Sequence, residues 1–342
     1  MDVSVLTSRD RLSFLSRMSR WHEYSTTKVP LIFAPALYLM LREPQVTLAS
    51  YVRFGCIVIF TTLYLAFGYM LNDYADRETD REAGKTNLLG NLPRPMAWLF
   101  LLLTLIAGVI ALFPFRHQLS VVWSATLAYA AAAAYSLRPV RLKERGFLGL
   151  LTSAVAQRVL PSMVLFAIYG HWNVDTVVFL ALYAVIGLRW ILIHQILDEA
   201  NDRKAGVRTF VSQRGYDKTK SLMYQMVFPL EIGSGMVVII LIGIVSPEAM
   251  LLLGAYWSEI GLRLILHRQG KVAFSLTQFD DIPLAVSYFL LWPVFLSVSL
   301  SLRNPLLLGI LGAIIVWQWG YLQSEGGRFF RLIRLTWQRE PQ

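Results

Sequence analysis

Long apolar stretches alternate with short polar ones along almost the whole chain. The apolar runs cover residues 26–42, 51–71, 96–115, 120–136, 147–169, 176–197, 221–246, 249–266, 283–301 and 305–323. They are continuous rather than alternating, and most reach the ~20 residues that a helix needs to cross a bilayer. Backbone polar groups must be satisfied within lipid, so continuous runs predict helices and not a barrel. Ten spans are expected, with an error of one, because the first run is short and only Pro247 separates the seventh from the eighth. The polar segments between spans are too short to fold alone. Function therefore has to be assembled from helix ends and a few loops.

Ahead of the first run, Leu12, Leu15, Met18 and Trp21 recur on one helical face beside Arg11, Arg17 and Arg20. That pattern predicts a basic amphipathic helix lying on the inner leaflet. A disordered Arg/Ser-rich tail or a transit peptide is the other reading. No apolar core precedes a small-residue cleavage site, so no cleavable signal is expected. The chain divides into an amphipathic segment at 1–28, a membrane domain at 29–323 and a basic tail at 324–342.

Composition agrees. Of 342 residues, 56% are hydrophobic and 16% charged, with a mean hydropathy of +0.51, as in polytopic membrane proteins. The net charge of +10 is distributed unevenly. With the N-terminus in the cytoplasm and alternating spans, 25 Lys and Arg fall on the cytoplasmic side. Only Arg42, Arg53, Arg116 and Arg303 fall outside, and three more arginines lie within spans. This asymmetry orients a multi-pass protein of the inner or plasma membrane. It explains the charge without nucleic acid, for which nothing else speaks. The single cysteine, Cys56, excludes a disulfide framework and a Cys-based metal site.

The chemistry sits in a repeated cassette. The first copy is Asn72-Asp73-x2-Asp76-x3-Asp80-Arg81-Glu82-Ala83-Gly84, and the second is Asp198-x3-Asp202-Arg203-Lys204-Ala205-Gly206. The first aspartates of the two copies are 122 residues apart, and each copy follows an apolar run directly. Carboxylates four apart share a helix face. Mg²⁺ takes one or two protein carboxylates together with water and phosphate oxygens. Two such pairs would hold a metal-bridged diphosphate. A merely solvated helix end accounts for one copy but poorly for two. His194 extends the second stripe, as a proton acceptor, a metal neighbour or a hydrogen-bonded structural histidine. Between the copies, Tyr135-Ser136-Leu137-Arg138-Pro139-Val140-Arg141-Leu142-Lys143-Glu144-Arg145-Gly146 gathers four cations suited to phosphate. Lys85 and Lys204 trail the cassettes and can reach the same anion.

The order and spacing of Asn72-Asp73-x2-Asp76-x3-Asp80, the stretch 135–146 and Asp198-x3-Asp202-x-Lys204-x-Gly206-x2-Thr209 resemble the UbiA-type intramembrane prenyltransferase family over roughly residues 20–220. The tyrosine-to-glycine stretch is similar to that of members acting on homogentisate or the chlorophyllide ring. Two features depart from the family. Its Asn-Arg-Pro turn is replaced by Gly84-Lys85-Thr86-Asn87-Leu88-Leu89, where Lys85 stands in for the usual arginine. Ten runs also replace the usual nine spans.

The resemblance implies an all-α transmembrane bundle of nine to ten spans around a central cavity. It implies two Mg²⁺ held by Asp76, Asp80, Asp198 and Asp202 with Asn72 assisting, and a polyprenyl diphosphate donor reached also by Asp73. Arg138, Arg141, Lys143, Lys85 and Lys204 then meet the leaving group, and Tyr135 steadies an allylic cation. The expected reaction is prenyl transfer within membrane lipid to a small aromatic or other electron-rich acceptor. Alternatives are phosphoribosyl transfer to a polyprenyl phosphate, intramembrane terpene cyclisation and, from another class, a cation-coupled transporter. Transporter sites lie near the membrane midplane, whereas both cassettes lie at span ends. Arg189, His194, Gln157 and Arg158 fall within spans, where polar groups are costly and need partners. Arg189 is expected either to bind an acceptor beneath the diphosphate or to form a buried ion pair with Glu231 or Glu259.

Overall fold

A computed structural model describes residues 8–82, 84–204, 206–270, 284–324 and 334. After the N-terminal helix α1 Ser8–Met18, ten helices follow the ten apolar runs one for one: α2 Val29–Arg42, α3 Leu48–Ala75, α4 Arg94–Ala111, α5 Leu119–Ser136, α6 Phe147–Ile168, α7 Val174–Lys204, α8 Tyr216–Val245, α9 Pro247–Arg268, α10 Ser287–Arg303 and α11 Pro305–Trp317. The chain is an all-α membrane bundle. Among the described residues, the seven helices α3 to α9 have the length and composition to cross a bilayer. The shorter α2, α10 and α11 match the remaining three runs. The proposed tail at 324–342 lies almost wholly outside the described residues, as does Lys271.

Helices adjacent in sequence are mostly adjacent in space. The α3 helix packs on α4 and α5, α5 on α6, α6 on α7 and α7 on α8, while α2 lies against α10 and α10 against α11. The end of the chain closes on its beginning. Trp317 Nε1 donates to the Ser25 carbonyl at 2.7 Å, and Gln318 Nε2 donates to the carbonyls of Phe289 and Thr26 at 2.8 and 3.2 Å. Burial separates core from periphery: 67% of the most apolar window of α6 is buried, against 17% for α4. Leu102, Leu103, Ile106, Val109 and Ile110 of α4 stand exposed, as a lipid-facing surface requires.

Two local rules shape the cavity walls. Three helices carry a π-turn just ahead of a proline: Val155–Val159 before Pro161, Met223–Val227 before Pro229 and Ser287–Leu291 before Pro293. Proline donates no N–H and its ring crowds the carbonyl four residues back, so the extra residue relieves the clash. The other rule is close approach at a glycine. A Cβ on Gly187 of α7 would stand 2.9 Å from the Ala154 carbonyl oxygen of α6, so a side chain there forces the helices apart.

The N-terminal helix forms as expected, although its apolar face meets protein. Leu15, Met18, Trp21 and Tyr24 line a cavity of about 470 Å³ with Leu63, Ala66 and Met70 of α3 and Phe100 of α4. Met18 is 2% exposed. Arg20, in the left-handed region at φ 55°, turns the chain from α1 toward α2.

Candidate functional site

Both cassettes end in the same local structure. In the first, the Lys85 N–H donates to the Asp80 carbonyl at 2.9 Å and the Gly84 N–H to Arg81 at 3.2 Å. In the second, the Val207 N–H donates to Asp202 at 2.9 Å and the Gly206 N–H to Arg203 at 3.3 Å. Gly84 and Gly206 have φ of 67° and 68°. This is one helix-terminating motif made twice, and it requires a residue at ease with positive φ. Each carboxylate pair therefore sits on the last turns of its helix. The first copy has a break at Asp76, yet the Asp76 N–H still bonds Asn72 and the Asp80 N–H bonds Asp76, at 3.0 and 2.8 Å. The Asn72–Asp76–Asp80 stripe survives the break.

The loop 137–146 folds onto that stripe. Lys143 Nζ donates to Asn72 Oδ1 at 2.9 Å and to both carboxylate oxygens of Asp76. Arg141 Nη2 donates to Asp76 Oδ1 at 2.9 Å, and its Nε pairs with Glu144. Burial works against the Arg141 charge, but Glu144 and Asp76 outweigh it and hold its pKa above the usual arginine range. Lys143 is the reverse case: burial outweighs Asp76 and lowers its pKa. A cation thus sits among three oxygens of Asn72 and Asp76, the oxygen-rich donor set that suits Mg²⁺. No group of three or more His, Cys, Asp or Glu arranged to hold a metal occurs among the described residues. A diphosphate would have to complete the coordination, as Mg²⁺ sites commonly require.

The second cassette is more open. His194 Nδ1 lies 3.4 Å from Asp198 Oδ2, and Asp202 Oδ2 accepts from Thr209 Oγ1 at 3.0 Å. The loops are tied: the Gly146 N–H donates to the Arg208 carbonyl at 3.0 Å, and Gly146 pairs with Thr209.

Beneath this end lies a polar chamber of about 480 Å³, whose walls include Asn72, Tyr135, Gln157, Arg158, Trp190 and His194, with Arg20, Glu23, Lys28 and Tyr69 closing one side. It continues past Tyr69 and Tyr135 into a narrow slot of about 60 Å³ along Tyr64, Leu65, Gly68 and Ala132.

Several expected residues lie elsewhere. Arg138, Lys85 and Lys204 are exposed. Asp73 turns from the stripe to Arg20, at 3.3 Å. Arg189 does not line the chamber; fully buried, it pairs with Glu231, with Nη2–Oε1 at 2.7 Å. Of the two roles expected for Arg189, this is the geometry of the ion pair. Sequence reasoning missed Asn87, which replaces the family turn. Its Nδ2 donates to Asp80 Oδ2 and to the Asp73 carbonyl, both at 2.7 Å, and so fixes the cassette from behind. From the sequence, Arg20 is expected only on the basic face of the amphipathic helix, and Lys28 counts only among the cytoplasmic basic residues.

The profile of the UbiA prenyltransferase family matches residues 31–280. No curated protein matches the chain. Among solved structures, a UbiA homolog from Archaeoglobus fulgidus bound to GPP and Mg²⁺ is similar, with a TM-score of 0.60, 14% identity and coverage of 87% of this chain and 99% of that one. The same homolog bound to DMAPP and Mg²⁺ has a TM-score of 0.59 and 15% identity over the same shares. An apo UbiA homolog from Aeropyrum pernix K1 has a TM-score of 0.54 and 15% identity, covering 80% and 96%.

Proposed function

This chain belongs to the UbiA prenyltransferase family, and from that membership we propose that it transfers a prenyl group from a prenyl diphosphate to a small electron-rich acceptor in the membrane. The observation that carries the reading is the cation seated among oxygens of Asn72 and Asp76, on a loop whose Gly146 pairs with Thr209, the donor to Asp202 of the second acidic pair. One relative of the same fold, the Archaeoglobus fulgidus homolog, binds DMAPP or GPP with Mg²⁺.

Asn72, Asp76 and Asp80 hold one Mg²⁺ in this reading, and Asp198 and Asp202 a second. When bound there, Mg²⁺ would supply positive charge against the departing diphosphate. Lys143 and Arg141, now engaged with Asp76, turn to phosphate oxygens, where Lys acts as a point charge and Arg as a bidentate donor. The allylic C–O bond breaks with its electron pair leaving on the diphosphate. The π face of Tyr135 stabilises the cation. The acceptor supplies the electrons of the new bond and loses a proton, for which His194, beside Asp198 and lining the chamber, is the base in this reading. The slot along Tyr64, Leu65, Gly68 and Ala132 takes the start of the isoprenoid tail. The 25-to-4 distribution of basic residues supports a cassette end facing the cytoplasm.

Purified protein given geranyl diphosphate, Mg²⁺ and an acceptor panel should release diphosphate and yield a prenylated product. Absence of both, with the donor shown to bind, refutes the reading.

A further inference from the structure

The N-terminal helix bridges a gap that the chain does not fill. Between α1, α3 and α4 lies the cavity of about 470 Å³ walled by Met18, Ala66, Met70 and Phe100, with Thr62 and Thr104 furthest from the cassette end. It is separate from the chamber. On α3, Gly68, Tyr69 and Asn72 turn toward the slot and chamber, whereas Thr62, Ala66 and Met70 turn toward α1 and α4. The α4 neighbours Leu99, Leu103 and Ile106 are exposed, so the gap belongs to the lipid-facing side of the bundle. Apolar walls give water few hydrogen bonds, and an empty gap forfeits dispersion contacts.

The gap has the dimensions of one leaflet's chain. Its α3 wall runs eight residues from Thr62 to Met70, about 12 Å. Half of the hydrocarbon core is about 15 Å deep.

A cation stands where this wall reaches the cassette end. Arg77 comes seven residues after Met70 and continues its face, across a break that keeps the Asn72–Asp76–Asp80 stripe in line. The Arg77 guanidinium lies 5.8 Å from the centroid of the Tyr74 ring. The Tyr74 hydroxyl accepts from Trp98 Nε1 at 2.9 Å, two residues before Phe100, and such Tyr–Trp pairs mark the membrane–water interface. Arg77 Nη2 donates to the Leu92 carbonyl at 3.4 Å, while Nη1 has no acceptor among the described residues. The acids around it are taken: Asp73 by Arg20, Asp76 by Lys143 and Arg141, Glu78 by Arg94. Arg77 is only half-buried, so a headgroup can reach it. On α1, Arg17 is exposed, and basic residues on such a helix attract anionic lipid at the cytoplasmic surface.

We propose that the groove between α1, α3 and α4 binds an anionic phospholipid of the inner leaflet, with one acyl chain between Met18, Ala66 and Phe100 and the phosphate beside Arg77. The lipid seats α1, and the turn after α1 bears on the chamber wall: Arg20 pairs with Asp73 at 3.3 Å and the Tyr24 ring stacks on Tyr69 at 5.6 Å. This site is independent of the prenyltransferase reading.

Full-length protein, stripped of lipid in neutral detergent, is titrated with phosphatidylglycerol and with phosphatidylcholine of the same chains, and retained lipid is counted by native mass spectrometry. Phosphatidylglycerol should bind about tenfold or more tightly, the value of one charge-assisted contact. Arg77→Met should bring the two lipids level, and Arg77→Lys should keep part of the preference. Thr62→Trp and Thr104→Trp fill the groove from either wall and should weaken both lipids. Leu103→Trp, on the exposed face of α4, should change neither. Equal binding of the two lipids overturns the proposal, as does no retained lipid. So does a preference that survives Arg77→Met, or full lipid binding in both groove-filling variants. Displacement of the lipid by geranyl diphosphate makes the groove a substrate path and overturns it too. If Arg77→Met does not fold, Arg77→Lys and the groove-filling variants decide.

Discussion

Lys143 donates to both carboxylate oxygens of Asp76, from a loop that lies 67 residues further along the chain. The pair places the cation of one inner loop inside the acidic stripe of another. It is a closed arrangement that a diphosphate with its metal can open. Lys143→Met should therefore weaken geranyl diphosphate binding by about tenfold to a hundredfold, the range for losing a charge-assisted contact. Mg²⁺ affinity measured without the donor should not fall, because Asp76 is relieved of a competitor. Titrations of donor and metal on the variant check both halves.

Asp76→Asn and Asp198→Asn each keep side-chain volume and remove one carboxylate charge. Turnover should drop about a hundredfold or more in either variant, as when a group that stabilises developing charge is removed. Excess chelator should abolish wild-type turnover, and Mg²⁺ should restore it. Thermal unfolding of Asp198→Asn should stay close to wild type, since that side chain is 46% exposed, while Asp76→Asn should lose some stability because Lys143 and Arg141 lose their charged partner. Full activity in one variant would leave its cassette without a catalytic role.

Arg189 and Glu231 are a buried pair with no exposed surface on either partner. Arg189→Leu strands the Glu231 charge and should cost about 3–5 kcal/mol of stability. Adding Glu231→Leu should recover much of that loss, because a well-packed apolar pair replaces the ion pair. Thermal unfolding of the single and double variants checks it. Unchanged stability in Arg189→Leu, with a raised acceptor Michaelis constant, would return Arg189 to the acceptor.

Gly84→Ala and Gly206→Ala test the repeated helix ends. Each places a Cβ at φ near 67° or 68°, which costs about 1–2 kcal/mol. Neither position meets another atom within 4 Å, so the effect is conformational and not steric. Both variants should lose Mg²⁺-dependent donor affinity in parallel, although they belong to different loops. An effect in only one would deny the equivalence of the cassettes.

Orientation can be read by labelling. Thr86→Cys and Gln213→Cys, made in a Cys56→Ser background, place thiols on exposed positions after each cassette. Asn87 is unsuitable because it is buried and holds Asp80. Reagents that cannot cross the membrane should label these thiols only from the cytoplasmic side. Labelling from outside intact cells reverses the assignment.

The sequence by itself determined the ten apolar helices, the place of both cassettes at helix ends, and the family. These depend on local quantities: run length, spacing of four along a helix, and the glycine that ends each cassette. It also carried both options for Arg189 without deciding between them. Only the tertiary structure decided that Arg189 meets Glu231 across 42 residues, that Asp73 meets Arg20 across 53, and that Arg158 is left facing a cavity. Such pairings depend on which faces of distant helices are turned together, and that is set by packing: Gly187 against Ala154, π-turns before prolines, Asn87 behind Asp80. A charged residue inside a span is legible as costly from composition alone. Whether protein or ligand answers its charge is a property of the assembled bundle, because the partner comes from another helix or from outside the chain.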